Sequence, residues 1–191
     1  MSETQNSFFN TPFSRIYSFY LCGEIAPPEN YIEWFQAIRM ANENDVIQIH
    51  INSRGGNLST ALQFMRVLAE TPATVIASVE GDCMSAATMI FLSVDSYQIS
   101  DHSCFMFHNY SGFIYGKGGE MFDNIMFERK WSEKLMKDVY KDFLTEEEIN
   151  SILENRDIWM DADEVIERIK KREEIRQSQT NKKRYHLVHC D

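Results

Sequence analysis

Apolar and polar residues alternate along the first half of the chain with two different periods. Val46–Ile51 alternates strictly, which predicts a half-buried strand. Leu58–Glu70 places apolar residues every three to four positions and ends before Pro72, which predicts a helix. The same criteria predict three more elements in this half: strands at Ile16–Cys22 and Thr74–Val79, and a helix at Tyr31–Asn42 with Asn30 as its N-cap.

The second half begins with short elements and then becomes helical. Met84–Val94 is an apolar segment that could form a buried helix, although periodicity alone does not decide between a helix and a strand. From Met121 to Phe143 apolar residues recur at four-residue steps, so a long helix with one apolar face is predicted at about 118–143. The other predicted elements are strands at Tyr97–Ile99 and Cys104–His108, a helix from the capping box Thr145–Glu148 to Glu154, and a last helix at Asp161–Lys171.

This order of elements predicts an α/β fold. Strands that alternate with helices form βαβ units, in which neighbouring strands pair mainly in parallel and the crossovers are right-handed. We expect one folded domain at 15–171. A flexible N-terminal segment at 1–14 would precede it, and a basic, polar C-terminal tail at 172–191 would follow it.

Composition and charge narrow the class of protein. A chain of 191 residues with 43% hydrophobic residues is long enough for one well-buried core. Its 19 basic and 29 acidic residues give a net charge of −10, which argues against nucleic acid as a partner. The four cysteines form no C-x-x-C pair and suit a reducing cytoplasm. We expect no membrane association, because the sequence has neither the pattern of a secretory signal nor an apolar run of about 20 residues.

Two turns are candidates for chemistry. Gly55-Gly56 lies between a predicted strand and a predicted helix, and Ser85 follows a break at Gly81. Backbone N–H groups at such turns can bind the oxyanion that forms when a hydroxyl attacks a carbonyl, although each turn taken alone is also ordinary βα turn chemistry. His108 ends a short apolar strand, from which its imidazole could face a cleft; a lone histidine there is more often structural.

Four short segments carry the strongest indication of function. They are Ile49–Gly56 (I-H-I-N-S-R-G-G), Gly81–Ala86 (G-D-C-M-S-A), Phe107-His108 followed by Gly112, and Arg156–Ala162 (R-D-I-W-M-D-A). In order and spacing they resemble the motifs I-N-S-P-G-G, G-x-x-x-S-M, I-H-Q-P…G and R-D-x-F-L-S-A of the Clp protease proteolytic subunit (ClpP) family. The resemblance covers roughly residues 16 to 169.

The resemblance implies a catalytic role for three side chains and two backbone groups. Ser85 matches the nucleophile, His108 the general base and Asp157 the residue that orients the base. The N–H groups of Gly56 and Ala86 match the oxyanion hole. These roles agree with elementary chemistry, because a serine hydroxyl needs a neighbouring imidazole to take its proton, and a carboxylate fixes the tautomer of that imidazole.

Three departures from the family pattern bear on substrates. Arg54 stands where the family has proline, Ala86 replaces the methionine after the serine, and Asn109-Tyr110 replace Gln-Pro after the histidine. The first two leave backbone donors in place, whereas the third alters a strand that would flank a bound peptide. The side-chain preference of the proposed peptidase is therefore not implied by the resemblance.

The resemblance also implies an architecture and partners. The fold would be of the ClpP/crotonase type, with repeated ββα units and the long helix at 118–143 projecting as a contact between two rings. Subunits would form stacked, heptameric rings that enclose the active sites and act in protein quality control. An AAA+ unfoldase ATPase would deliver unfolded polypeptide substrates. No metal or organic cofactor is implied.

Several alternatives stay open. The chain could be a catalytically silent, ClpP-like structural subunit, or a crotonase-like acyl-CoA enzyme with the same kind of oxyanion hole. Its divergent ends motivate the hypothesis of a viral member that, for example, processes capsid proteins. His186-x-x-His189-Cys190 is a weak candidate for a metal site, because a frayed tail explains it more simply. Asp101-His102 is better explained as part of a turn than as a second catalytic pair.

Overall fold

The computed structural model of the protein describes residues 14–112 and 115–188, with side chains to residue 176. The predicted α/β fold is confirmed, since strands and helices alternate over these residues. The strands are Ile16–Ile25 (β1), Val46–Gly56 (β2), Thr74–Met84 (β3), Ser96–Ile99 (β4), Cys104–Phe107 (β5) and Ile158–Asp161 (β6). The helices are Ile32–Met40 (α1), Leu58–Glu70 (α2), Ala86–Phe91 (α3), Gly118–Tyr140 (α4), Glu146–Leu153 (α5) and Ala162–Val188 (α6).

The described strands form one mixed sheet in the order β1-β2-β3-β5-β6. All pairs are parallel except β5 with β6, which are antiparallel. Strand β3 has two neighbours on one edge, because its Ile76–Val79 part pairs with β4 and its Asp82–Met84 part pairs with β5. The carboxyl end of β3 therefore lies beside β5, and the residues that follow these two strands are brought together.

One face of the sheet is buried under helices. Along β2 the side chains of Ile47, Ile49 and Ile51 are buried, whereas those between them are only half-buried. Phe64 of α2 lies at the centre of an aromatic cluster, 4.8 Å between ring centroids from Phe35. Because Phe64 is fully buried, removing its ring would cost about 3–5 kcal/mol of the free energy of unfolding.

The long helix α4 projects from this core. Only its carboxyl-terminal half is anchored, through the buried Met136 and Tyr140. Towards its amino end, Phe122 and Phe127 are 63% and 68% exposed. Exposed apolar residues gathered on one element mark a contact surface more often than a free surface. None of the helices in the described ranges combines the length and apolar character that a membrane span needs.

The last helix differs from its prediction. It continues to Val188 instead of ending near Lys171. Arg172, the first residue of the predicted tail, is only 6% exposed, and it donates hydrogen bonds to the carbonyl oxygen of Leu92 and to the hydroxyl of Tyr97. The helix thus crosses the expected start of the tail without a break. The division into segment, domain and tail stays a prediction.

One local expectation was wrong, and one assignment that the sequence left open is decided in favour of a buried helix. The N-cap of α1 is Tyr31, because a 3-10 turn at Pro28–Tyr31 precedes the helix, and the Asn30 side chain donates instead to the carbonyl oxygen of Pro27. The apolar segment at Met84–Val94 is helical only over α3, because Met84 still belongs to β3. Ser85 lies between these two elements, so the change from strand to helix happens at the candidate nucleophile.

Candidate active site

Ser85 occupies a strained turn between β3 and α3. Its backbone angles are φ 54° and ψ −127°, a conformation that non-glycine residues rarely adopt. Two groups of hydrogen bonds hold it there: its N–H donates to the carbonyl oxygen of Met106 at 2.8 Å, and its own carbonyl oxygen accepts from Thr88 N at 2.9 Å and Thr88 Oγ1 at 2.7 Å. Strain that the surrounding structure maintains in this way is concentrated at functional sites.

The turn at Gly55-Gly56 closes against Ser85 because it has no side chains. Gly55 has φ 94°, and a β-carbon on it would lie 2.6 Å from Ser85 Cβ and 2.8 Å from the carbonyl oxygen of Met84. Gly56 has φ 144°, and a β-carbon there would lie 2.5 Å from the carbonyl oxygen of Ile25. The two glycines therefore let the end of β2 approach β1 on one side and the candidate nucleophile on the other.

His108 directly follows β5 and meets Ser85 side chain to side chain. Its Nε2 lies 2.6 Å from Ser85 Oγ. When Nδ1 of the neutral ring carries the proton, Nε2 accepts the hydrogen bond from the serine hydroxyl. The sequence prediction that these two residues lie together thus agrees with the geometry, and their arrangement is that of a nucleophile and its base.

Asp157 lies near His108 at the same edge of the sheet but does not contact it. The pairing of Phe107 with Ile158 in the β5–β6 ladder, extended by one residue, puts His108 opposite Asp157. The Asp157 side chain is nevertheless exposed, and it makes no hydrogen bond or ion pair with another residue in the described ranges. The backbone therefore brings the third predicted residue beside the histidine, and its contact with the imidazole stays a prediction.

The backbone donors predicted for an oxyanion lie beside Ser85. Ala86 is the first residue of α3, and its N–H has no acceptor among the described residues. Gly55 packs against this nitrogen, since a β-carbon on Gly55 would be 3.0 Å from Ala86 N. Gly56 and Ala86 line the same small cavity of about 50 Å³ as Ser85 and His108.

The apolar walls of this cavity were not singled out from the sequence. Leu58, Met89 and Met136 provide apolar contacts, and Asn109-Tyr110 form a polar rim. The helical periodicity of Leu58 and the apolar face of α4 identified these residues only as packing positions. No sequence signal distinguishes an apolar residue that lines a cavity from one that fills the core, because both are required to be apolar.

A larger cleft of about 570 Å³ lies beside the same glycine turn. Arg54 lines it and pairs with Asp82 at 2.9 Å between Nε and Oδ2, and this hydrogen bond raises the pKa of the guanidinium. Glu24 and Asn52 also line the cleft. Arg54 is the residue that replaces the proline of the resembled motif, so the departure adds an ion pair next to Gly55.

No other potentially reactive group in the described ranges joins the site at Ser85 and His108. Cys83 is fully buried two residues before Ser85, and burial raises the pKa of its thiol well above the usual range, which keeps it neutral and unreactive. Asp101 and His102 are both exposed in the turn after β4. Within the described ranges no three His, Cys, Asp or Glu side chains gather as metal ligands. The candidate set at His186, His189 and Cys190 lies outside the residues whose side chains are described.

Comparisons with known proteins bear on the family and the fold of the chain. No curated protein matches the chain. A solved structure of a ClpP1 point mutant from Listeria monocytogenes is similar in fold, with a TM-score of 0.60 and 21% sequence identity over 79% of this chain and 86% of that chain. A sequence model of the Clp protease family matches residues 27–168, which is most of the chain. The predicted resemblance is confirmed: the chain belongs to the Clp protease family.

Proposed function

We propose that the chain is a serine endopeptidase subunit that hydrolyses peptide bonds of unfolded proteins inside an oligomeric chamber. The observation that carries the proposal is the 2.6 Å contact between His108 Nε2 and Ser85 Oγ. It lies in a cavity that Gly56 and Ala86 also line. Membership of the Clp protease family supports the same type of chemistry.

The proposed reaction begins with attack by Ser85 Oγ on the carbonyl carbon of the scissile peptide bond, while His108 Nε2 takes the hydroxyl proton. A base placed in this way contributes about 10²–10⁴-fold in rate. The N–H groups of Gly56 and Ala86 stabilise the tetrahedral oxyanion, each by about 3–4 kcal/mol in comparable sites. His108 then returns the proton to the leaving amine, and water hydrolyses the acyl-enzyme by the same route.

We assign Asp157 the role of orienting His108 in this reaction. Directly opposed residues of an antiparallel pair have α-carbons about 4.5–5.5 Å apart, so a change of side-chain rotamer is enough for the carboxylate to approach Nδ1. The carboxylate would fix the tautomer in which Nε2 accepts the proton, and it would stabilise the imidazolium. The exposed position of Asp157 means that this contact forms at a solvent-facing edge of the site.

The assembly we propose is a pair of stacked, heptameric rings in contact through α4. The exposed Phe122, Met126 and Phe127 on that helix support a self-contact, because a monomer would leave them in water. A closed chamber admits only extended chains, so an AAA+ unfoldase ATPase would supply the substrate. We place this assembly in the cytoplasm, and the free thiols of Cys22, Cys83 and Cys104 agree with a reducing compartment.

One observation favours a second candidate, a catalytically silent structural subunit. Asp157 makes no contact with His108, although the other two residues are in place. A silent subunit would form rings without hydrolysing peptides.

Peptide hydrolysis by the assembled protein separates the two candidates. An unfolded, fluorescently labelled protein and short fluorogenic peptides serve as substrates, and Ser85→Ala is the control. The peptidase cleaves the peptides, and Ser85→Ala abolishes the cleavage while leaving the oligomer intact. Equal signals from wild type and Ser85→Ala on an intact oligomer would establish the silent subunit instead.

A further inference from the structure

The long helix α4 is connected to the candidate nucleophile by two buried hydroxyl groups. Tyr140, the last residue of α4, and Thr88 of α3 are both 0% exposed. Tyr140 Oη and Thr88 Oγ1 are 2.8 Å apart, and Thr88 Oγ1 is 2.7 Å from the carbonyl oxygen of Ser85. Because a carbonyl oxygen can only accept, the single hydroxyl hydrogen of Thr88 goes to Ser85, and Tyr140 must donate to Thr88. The chain of hydrogen bonds thus has one direction.

These hydrogen bonds fix the orientation of the peptide group between Ser85 and Ala86. The carbonyl of Ser85 and the N–H of Ala86 belong to the same planar, trans peptide unit, so they point in opposite directions. Thr88 holds the carbonyl oxygen twice, through its backbone N–H at 2.9 Å and through its hydroxyl. As long as the carbonyl is held on the side of α3, the N–H of Ala86 points away from the helix, towards the cavity that Ser85 and His108 line.

We propose that Thr88 and Tyr140 are positioning residues that aim the N–H of Ala86 at the oxyanion of the bound substrate. The inference rests on the proposed function, because it assigns a partner to one of the two oxyanion donors. It also makes the strength of oxyanion binding depend on the position of α4, since Tyr140 donates from the end of that helix. Burial raises the pKa of the Tyr140 hydroxyl, so this donor keeps its proton at neutral pH.

The strained backbone of Ser85 explains why the Thr88 hydroxyl matters in addition to the Thr88 N–H. Ser85 lies at φ 54°, outside the regions that its side chain prefers. Without the hydroxyl of Thr88, rotation of the Ser85–Ala86 peptide loses one of the two hydrogen bonds that oppose it. Removal of Tyr140 Oη is a milder change, because Thr88 keeps its bond to Ser85 but its hydroxyl is no longer oriented by a donor.

The test compares a peptide aldehyde with the matching peptide alcohol. The Ser85 hydroxyl adds across the aldehyde C=O: Oγ bonds to the carbon, the proton is taken up by His108 or the new oxygen, and no group leaves. The resulting hemiacetal oxygen occupies the oxyanion position, whereas the alcohol binds the same cavity without forming it. Inhibition constants are measured as protection of Ser85 from a fluorophosphonate probe, in wild type, Tyr140→Phe, Thr88→Val, Thr88→Ser and the variant with both Thr88→Val and Tyr140→Phe.

We expect Thr88→Val to weaken aldehyde binding about 3- to 10-fold, which corresponds to one neutral hydrogen bond, and to leave alcohol binding within about twofold. Tyr140→Phe weakens the aldehyde by less, and Thr88→Ser restores wild-type binding because it keeps the hydroxyl. The double variant is no weaker than Thr88→Val alone, since both residues act through one bond. Ser103→Ala is the matched control: it removes another buried hydroxyl, bonded to the carbonyl oxygen of Val79 at 3.2 Å, and should lower the melting temperature only.

The outcomes separate the two claims. If wild type binds the aldehyde more tightly than the alcohol and all the variants keep that ratio, the positioning role is wrong and the proposed function stands. The same holds if the variants weaken aldehyde and alcohol equally. If wild type takes up no probe at Ser85, both the proposed function and the positioning role are wrong. Thr88→Ser keeps the test decisive if Thr88→Val fails to fold, because its aldehyde-to-alcohol ratio must equal that of wild type while Tyr140→Phe lowers it.

Discussion

The α-carbon of Gly55 lies so close to Ser85 that a β-carbon on it would be 2.6 Å from Ser85 Cβ. The two residues come from different strand ends, and their contact joins the glycine pair at the end of β2 to the strained turn after β3. The same approach puts the turn beside Ala86 N. The geometry of the proposed oxyanion site therefore depends on a position where no side chain fits.

Gly55→Ala should strongly lower the reactivity of Ser85 without unfolding the protein. The new methyl group would also meet the carbonyl oxygen of Met84 at 2.8 Å, and a backbone atom cannot move aside cheaply. A displacement of the turn by about 1 Å costs roughly 100-fold in rate. The rate of Ser85 labelling by a fluorophosphonate measures the loss.

Gly23→Ala is the matched control for this prediction. Gly23 also has a positive φ, of 79°, but a β-carbon there meets nothing within 4 Å. It therefore carries a similar backbone strain, of about 1 kcal/mol, without the steric contact. Equal labelling rates for Gly55→Ala and Gly23→Ala would show that the contact with Ser85 is not needed.

Asp157→Asn should lower the labelling rate by at least about tenfold if the carboxylate orients His108, because an amide stabilises neither the required tautomer nor the imidazolium. The side chain is exposed and makes no described contact, so its loss should leave the melting temperature unchanged. Asp101→Asn, another exposed carboxylate, is the control. An unchanged labelling rate in Asp157→Asn would remove Asp157 from the site.

The sequence predicted those elements that are specified locally, by the spacing of their apolar residues and by their capping and turn residues. Leu58–Glu70 was predicted with both its ends, because an apolar stripe and Pro72 define it locally. The capping box at Thr145 and Glu148 was also confirmed. The pairing of Ser85 with His108 came from motif resemblance, and the geometry agrees with it.

Features that depend on tertiary contacts were not predictable in this way. Strand β6 has four residues, too few to show a period, and it exists because it pairs with β5. The bond between Thr88 and Tyr140 joins residues 52 positions apart, and each residue taken alone fits an ordinary helix. The burial of Arg172 was missed because a charged residue in a polar stretch normally faces solvent.

Acid stability should depend on Asp45. The carboxylate is buried, and hydrogen bonds first from the Arg15 side chain and then from the Asn42 N–H lower its pKa to about 2 from an ordinary value of 3.8. A lowered folded-state pKa means that the unfolded chain binds the proton more readily. The stabilisation by ionised Asp45 is therefore complete above about pH 4 and is lost as the pH falls towards 2.

Melting temperatures of wild type and Asp45→Asn between pH 6 and 2.5 test this. Wild type should melt at the higher temperature at pH 6, and the difference should shrink below about pH 4. Asp101→Asn, whose side chain is exposed, should follow wild type throughout. A difference between wild type and Asp45→Asn that does not change with pH would mean that the charge of Asp45 is not what stabilises the fold.

Assembly should depend on the exposed face of α4. Phe127→Asp puts a charge into the proposed contact between rings, and desolvating an unpaired carboxylate there opposes association. We expect smaller particles by mass photometry, with an unchanged circular dichroism spectrum. Met40→Asp alters a residue that is also exposed but lies at the end of α1, and it should assemble as wild type does. Full assembly of Phe127→Asp would place the contact elsewhere.

The central claim, an activated serine at position 85, is tested most directly by mass spectrometry after reaction with a fluorophosphonate. Ser85 Oγ displaces fluoride, His108 accepts the proton, and the phosphonyl group stays on the serine. The account predicts an adduct on Ser85 in the assembled wild-type protein, and no adduct at that position in Ser85→Ala or His108→Ala. An assembled wild-type protein without an adduct, or an adduct that forms equally in His108→Ala, would contradict it.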